Sequence, residues 1–174
     1  MLMRRLAALA LAGVLALVLL AGCGQKPAEQ GSSSSQSAQA EAFYSFTDDS
    51  GREVSLESQP QRVVALMGSY AETWMLAGGV PVGVTEDVIS ERGLTVGEET
   101  KVIGTVKGPS TEEILNLDPD FILLSTDVAE HVELDGMLTQ AGIPHAYFKV
   151  ENFEDYLNML KICTDLTGRA DLYE

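Results

Sequence analysis

Apolar and polar positions along the chain fall into three regimes: a nearly unbroken apolar run at residues 6–21, a polar stretch at 24–42, and then short apolar runs alternating with helix-periodic segments. In the third regime "AFYSFTDDSGREVSLES" holds two alternating runs around Asp49, Ser50 and Gly51, which predicts a β-hairpin. "RVVALMGS", "VPVGVTED", "DFILLSTD" and "PHAYFKVEN" each read as a short buried strand ending in a polar or glycine-containing loop. Helical periodicity covers about 69–77, 111–117, 129–141 and 153–166. This alternation predicts an α/β domain, a Rossmann-like parallel sheet flanked by helices and preceded by the hairpin. The helix starts carry residues suited to capping: Ser69 with Glu72, Ser110 with Glu113, Asp127 with Glu130, and Asn152 with Asp155.

The stretch "GPSTEEILNLDPDFILLSTD", Gly108 to Asp127, places two glutamates at a helix start where one would serve. Ser110 as N-cap and Glu113 three positions later predict a reciprocal capping box. Glu112 lies outside that box, favoured by the helix dipole and facing solvent. Pro119 ends the helix and directs Asp118 toward extended backbone.

The first residues, "MLMRRLAALALAGVLALVLLAGC", join a short basic start to an apolar run and small residues, the pattern of a signal peptide over 1–22. "LAGC" resembles the lipobox of bacterial lipoproteins, which implies a diacylglyceryl thioether on Cys23 and cleavage before it. Two acyl chains suffice for stable anchoring; an uncleaved transmembrane helix is the alternative. Residues 23–42 are Ser/Gln-rich and read as a lipid-anchored flexible linker. The formal net charge of −15 becomes −17 once Arg4 and Arg5 leave with the signal, so a phosphate backbone is repelled and nucleic acid is no expected partner. With Cys23 lipidated, Cys163 is left without a disulfide partner and reads as a small buried core residue.

In such sheets ligands bind at the strand ends that feed the helices. The candidate ligand-binding residues are therefore Met67, Gly68, Ser69 and Tyr70 after the first strand, and Thr85, Glu86 and Asp87 after the second. Val106 and Lys107 precede the short helix, Ser125 and Thr126 follow the next strand, and Lys149 follows the last. Catalytic motifs are missing: "GSYAE" lacks the second glycine of a nucleophile elbow, and no phosphate loop occurs. "GGVPVG" has the wrong spacing for a dinucleotide fingerprint, and its Gly78 reads as a helix C-cap. His131 falls in a predicted helix and His145 in a predicted strand; surface or core positions are simpler for both than a shared metal site. No catalytic residue, metal or cofactor is expected.

"DDSGREVSLESQPQRVVAL", "SYAETWMLAGGVPVGVTED", "VIGTVKGPSTEEILNLDPDFILLS" and "AGIPHAYFKVENFEDYLNMLKICTDLTGRAD", in that order, resemble the iron-siderophore and cobalamin class of substrate-binding lipoproteins that serve ABC importers. The resemblance implies a non-catalytic protein of two α/β lobes bridged by a long helix, with the ligand between them. It implies an ABC permease and its ATPase as partners, and a lipid-anchored location on the extracytoplasmic face of the cell membrane. The helix in the position of "TEEILNLDPD" carries the family's permease-docking glutamate, and the match falls on Glu112. Residues 43–174 correspond to the amino-terminal lobe, with the second lobe missing. The ligand implied is an iron chelate, a corrinoid or haem. Val106 stands where cobalamin binders tend to place an aromatic residue, whereas Lys107, Lys149 and Arg92 offer charge to an anionic chelate, and Met67 and Tyr70 suit a flat ligand such as haem. An enzyme or a structural lipoprotein on a similar domain is the alternative.

Overall fold

The computed structural model describes residues 42–174; the expected signal peptide, the Cys23 anchor and the linker up to residue 41 lie outside the described residues. Strands β1 (Tyr44–Thr47) and β2 (Glu53–Leu56) form the expected antiparallel hairpin, with Tyr44 opposite Leu56 and Thr47 opposite Glu53. The chain continues through β3 (Val63–Ala65), α1 (Gly68–Leu76), β4 (Gly83–Val84), α2 (Asp87–Ser90) and β5 (Lys101–Val102). A small hairpin, β6 (Gly104–Thr105) and β7 (Gly108–Pro109), leads into α3 (Thr111–Asn116). Then come β8 (Phe121–Ser125), α4 (Ala129–Glu133), α5 (Asp135–Ala141), β9 (His145–Phe148) and α6 (Phe153–Thr167).

Five of these strands make one parallel sheet in the order β5-β4-β3-β8-β9. Successive side chains of a strand point to opposite faces. Val63, Ala65, Phe121 and Leu123 accordingly enter one core with Trp74 of α1, Met159 and Cys163 of α6, and Val54 and Leu56 of the hairpin. Val64, Ile122 and Leu124 enter a second core with Ile114 of α3 and Leu138 of α5. Burial on both faces is why β8 reads as an unbroken apolar run. Cys163 is wholly buried, and burial pushes its thiol up to about 12, so it stays a protonated packing residue.

The free edge of β9 is sealed by the turn between β1 and β2. Asp49 N–H donates to the Tyr147 carbonyl at 2.9 Å, and Tyr147 N–H donates to Asp48 Oδ2 at 3.1 Å. Lys149 N–H donates to Asp49 Oδ2 at 2.7 Å, and the Arg52 guanidinium donates to the His145 carbonyl at 2.8 Å. Asp48 also accepts from the Ser50 hydroxyl and from the N–H groups of Ser50 and Arg52, so its buried carboxylate is fully used. Arg52 further reaches Asp135 at 2.9 Å and lies over the Tyr147 ring.

Helix starts depart from the sequence expectation at α1, α3 and α4, and at the first two a distant residue supplies the partner. At α6 the expectation holds: Asn152 accepts from Glu154 and Asp155 N–H, and the Asp155 carboxylate accepts from Asn152 N–H. At α3, Ser110 accepts from Glu113 N–H at 3.3 Å, but the reciprocal half of the box is replaced because Ser110 N–H donates to the Ile103 carbonyl at 2.7 Å. Neither Ser69 nor Asp127 is an N-cap. Helix α1 begins a residue earlier, after Met67, and α4 begins after Val128. Asp118 takes φ 46° rather than extended backbone, which turns the chain sharply between α3 and Pro119. The Arg62 guanidinium donates to the Leu117 and Asp118 carbonyls there and closes the end of α3. The helix expected over 129–141 is interrupted at Leu134, and Gly78 takes φ 86° just past α1, as a helix-ending glycine does.

Candidate functional site

From β3 the chain works outward through β4 to β5, then returns to β8 beside β3 and works outward to β9. That reversal leaves a crevice at the carboxyl ends of β3 and β8, where open parallel sheets bind ligands. Met67 and Gly68 flank it on one side, Ser125 and Thr126 on the other.

Two buried side chains lock the loops around this crevice. The first is Asp87, at the start of α2. Its Oδ2 accepts from Gly68 N–H at 2.7 Å and its Oδ1 from the Thr85 hydroxyl at 2.6 Å. The carboxylate thus satisfies an orphan donor at the start of α1 from 19 positions away in sequence. A Cβ on residue 68 would stand 2.7 Å from Val88 N, so the approach demands glycine. The second is His131, wholly buried on α4. Its Nδ1 accepts from Ser125 N–H at 3.1 Å, which leaves Nε2 protonated to donate to the Val106 carbonyl at 2.9 Å. Burial pulls this imidazole below its ordinary range and keeps it neutral. His131 therefore joins the loop before α3 to the end of β8. The other histidine, His145, lies buried at the opposite end of the sheet, with Nε2 3.0 Å from Asp135 Oδ1. The two histidines share no site, and among the described residues no group of three or more potential ligands could hold a metal ion.

The structure thus divides the sequence-selected residues. Gly68, Thr85, Asp87 and Ser125 are buried and form the frame. Tyr70 is buried too, donating its hydroxyl to the Phe148 carbonyl at 2.9 Å, and burial pushes its phenol up to about 12. Met67, Ser69, Val106 and Thr126 are half-buried at the edge, and Glu86 and Lys107 are exposed. Lys149 lies 3.2 Å from Glu151 and 3.9 Å from Asp127, so its charge is already matched by carboxylates. Glu112 and Glu113 are both exposed on the first turn of α3.

Residues 63–174 match the periplasmic binding protein family. The chain belongs to that family. It is 32% identical over 147 residues to an uncharacterised ABC transporter substrate-binding lipoprotein of Bacillus subtilis, YvrC, a match covering 81% of this chain and 44% of the relative. The chain therefore spans under half the length of that relative. Among solved structures it is similar to FhuD of Vibrio cholerae, a siderophore-binding protein bound to Fe3+-Desferal, at 25% identity and TM-score 0.55, covering 65% of this chain and 44% of that one. The petrobactin-binding protein YclQ of Bacillus subtilis shares the fold at 16% identity and TM-score 0.60, covering 75% and 47%.

Beside the crevice, this periplasmic binding domain carries a groove of about 330 Å³ that takes in Ser69 and Tyr70 of the strand-end set and extends beyond them. Glu72, Thr73 and Leu76 of α1 line it with them, together with Arg92, Val150 and Tyr156. Arg92 comes from the long segment after α2 and pairs with Glu72 across 20 positions of sequence. Tyr156 comes from the first turns of α6. Its sequence signal was the spacing of Phe153 and Tyr156, two aromatics three apart at a helix start, which place both rings on one side.

Proposed function

We propose that this chain is the amino-terminal lobe of an extracytoplasmic substrate-binding lipoprotein of an ABC importer, lipid-anchored through Cys23 to the outer face of the cell membrane. It captures an iron-siderophore, cobalamin-like or haem ligand and delivers it to the permease and its ATPase. The supporting observation is the conjunction of family membership over residues 63–174 with an open strand-end crevice whose loops are fixed from beneath by Asp87 and His131. Such an edge is preorganised, so little ordering opposes binding. FhuD of Vibrio cholerae, similar in fold and sequence, is a siderophore-binding protein.

A thermal-shift screen of the complete gene product against ferric siderophores, cobinamide, cobalamin and haem tests the reading, because a ligand that binds only the folded state raises its melting temperature. A shift with one of them is expected; none with any of them sinks the ligand class. Docking is tested separately. Glu112 is exposed on α3 and free to meet a permease arginine. Glu112→Ala should weaken permease binding by about 2–5 kcal/mol at a dehydrated contact. Glu113 lacks the reciprocal cap bond, so both Glu112→Ala and Glu113→Ala should leave stability within about 0.5 kcal/mol. Binding of each variant to the permease in nanodiscs, beside melting curves, decides between them; loss of docking in Glu113→Ala alone would reassign the contact.

A further inference from the structure

The groove beside the crevice pairs an unusual set of surfaces. Phe153, outside the groove lining, is 72% exposed and stacks on Tyr156 of that lining, with ring centroids 6.1 Å apart and planes at 25°. Leu76 and Val150 are exposed in the groove itself, at 55% and 38%. Rings and aliphatic side chains left in water next to a cavity are surfaces awaiting a flat apolar partner. The same groove is lined by one guanidinium, Arg92, whose plane can stack on an aromatic ring or donate in pairs to an anion. In this structure the guanidinium is held by Glu72, and both side chains are partly exposed, at 40% and 34%, so the bond between them is weak and exchangeable.

We propose that this groove is a subsite for a planar aromatic group bearing negative charge, and that Glu72 sets its selectivity by occupying Arg92 until such a group displaces it. This rests on the binding-protein reading and names the ligand chemistry of its site. The rings of Tyr156 and Phe153 take the aromatic face, and Arg92 turns from the Glu72 carboxylate to the anionic edge. A neutral or cationic ligand cannot release Arg92 and meets the Glu72 carboxylate instead. Glu72 thus subtracts from the affinity for every anion, and only a ligand that also gains the aromatic contact recovers it.

Three iron chelates separate these contributions in titrations of the complete gene product: ferric 2,3-dihydroxybenzoate (aromatic, anionic), ferric citrate (anionic, not aromatic) and ferrioxamine B (cationic, not aromatic). The aromatic anion should bind tightest. Glu72→Gln should tighten both anions, by up to about fivefold, the scale of an exposed ion pair, and leave ferrioxamine B unchanged or weaker. Phe153→Ala and Tyr156→Ala should each weaken the aromatic anion alone by roughly tenfold, on the scale of one aromatic pair. Phe153 is mostly in solvent, so its variant folds even if Tyr156→Ala does not. Glu72→Gln without effect on either anion, or Phe153→Ala without effect on the aromatic one, overturns the proposal. Binding of ferrioxamine B or a corrinoid with no binding of the aromatic anion overturns it too, while leaving the binding-protein reading intact; failure of every ligand overturns both.

Discussion

The two edges of the five-stranded sheet are finished in opposite ways. β5 is two residues long, exposed, and carries Lys101, so it offers too little backbone for another strand to pair with. β9 is four buried residues, His145–Phe148, long enough to invite pairing, and is closed by a turn from the other end of the chain. There Asp48 and Asp49 act as substitutes for a sixth strand, accepting the N–H groups of Tyr147 and Lys149. A short edge needs no cover; a long one needs buried, fully satisfied polar groups, and those carry stability with them.

The contrast can be broken most forcefully at Asp48. Asp48→Ala strands the buried Tyr147 N–H and leaves Arg52 with Asp135 as its remaining carboxylate partner, and should cost about 1–3 kcal/mol in urea unfolding. A loss below about 1 kcal/mol would mean the turn is ornamental. The same residue gives the edge an acid limit. Burial pushes the Asp48 carboxyl upward, but the Ser50 hydroxyl, the Tyr147 N–H and Arg52 outweigh it and hold the carboxyl below its ordinary range. A depressed carboxyl contributes stability that is present above its unfolded value, about 3.9, and is lost as pH falls through the folded one. Stability should therefore drop below about pH 4, and less steeply in Asp48→Asn. Next in size is Asp49→Ala, which frees one exposed N–H and should cost about 1 kcal/mol. Amide exchange at Lys149 should then rise without change at Tyr147. Smallest is Val102→Lys on the β5 edge, expected within about 0.5 kcal/mol by the same urea assay.

Features set within a few residues were legible in the sequence; those set across the fold were not. The strands β3, β8 and β9 announce themselves because both faces are buried. The Asn152 and Asp155 box is visible because its partners are neighbours. The same signal at Ser110 is half overruled by the Ile103 carbonyl, and at Ser69 by the Asp87 carboxylate, which fixes where α1 begins. Strand β5, helix α2 and the β6–β7 hairpin are too short for periodicity to register. The strand-end rule found the crevice, since it follows from topology alone. It reached Ser69 and Tyr70 of the groove, and Arg92 already stood as a candidate charge, but the Arg92–Glu72 pair forms only through folding and Tyr156 lies on a helix away from any strand end.

The Asp87 clasp also partitions the crevice for anyone who wishes to change what it binds. Gly68 has no room for a side chain, and Thr85 and Asp87 have spent their oxygen atoms on each other and on the start of α1. Substitutions there act on whether the pocket exists. Met67, Ser69, Glu86 and Lys107 stand outside the clasp, half-buried or exposed, and contribute no side-chain hydrogen bond to it. A library confined to those four positions varies the lining while the frame stays constant, which is the arrangement that lets one scaffold acquire many specificities.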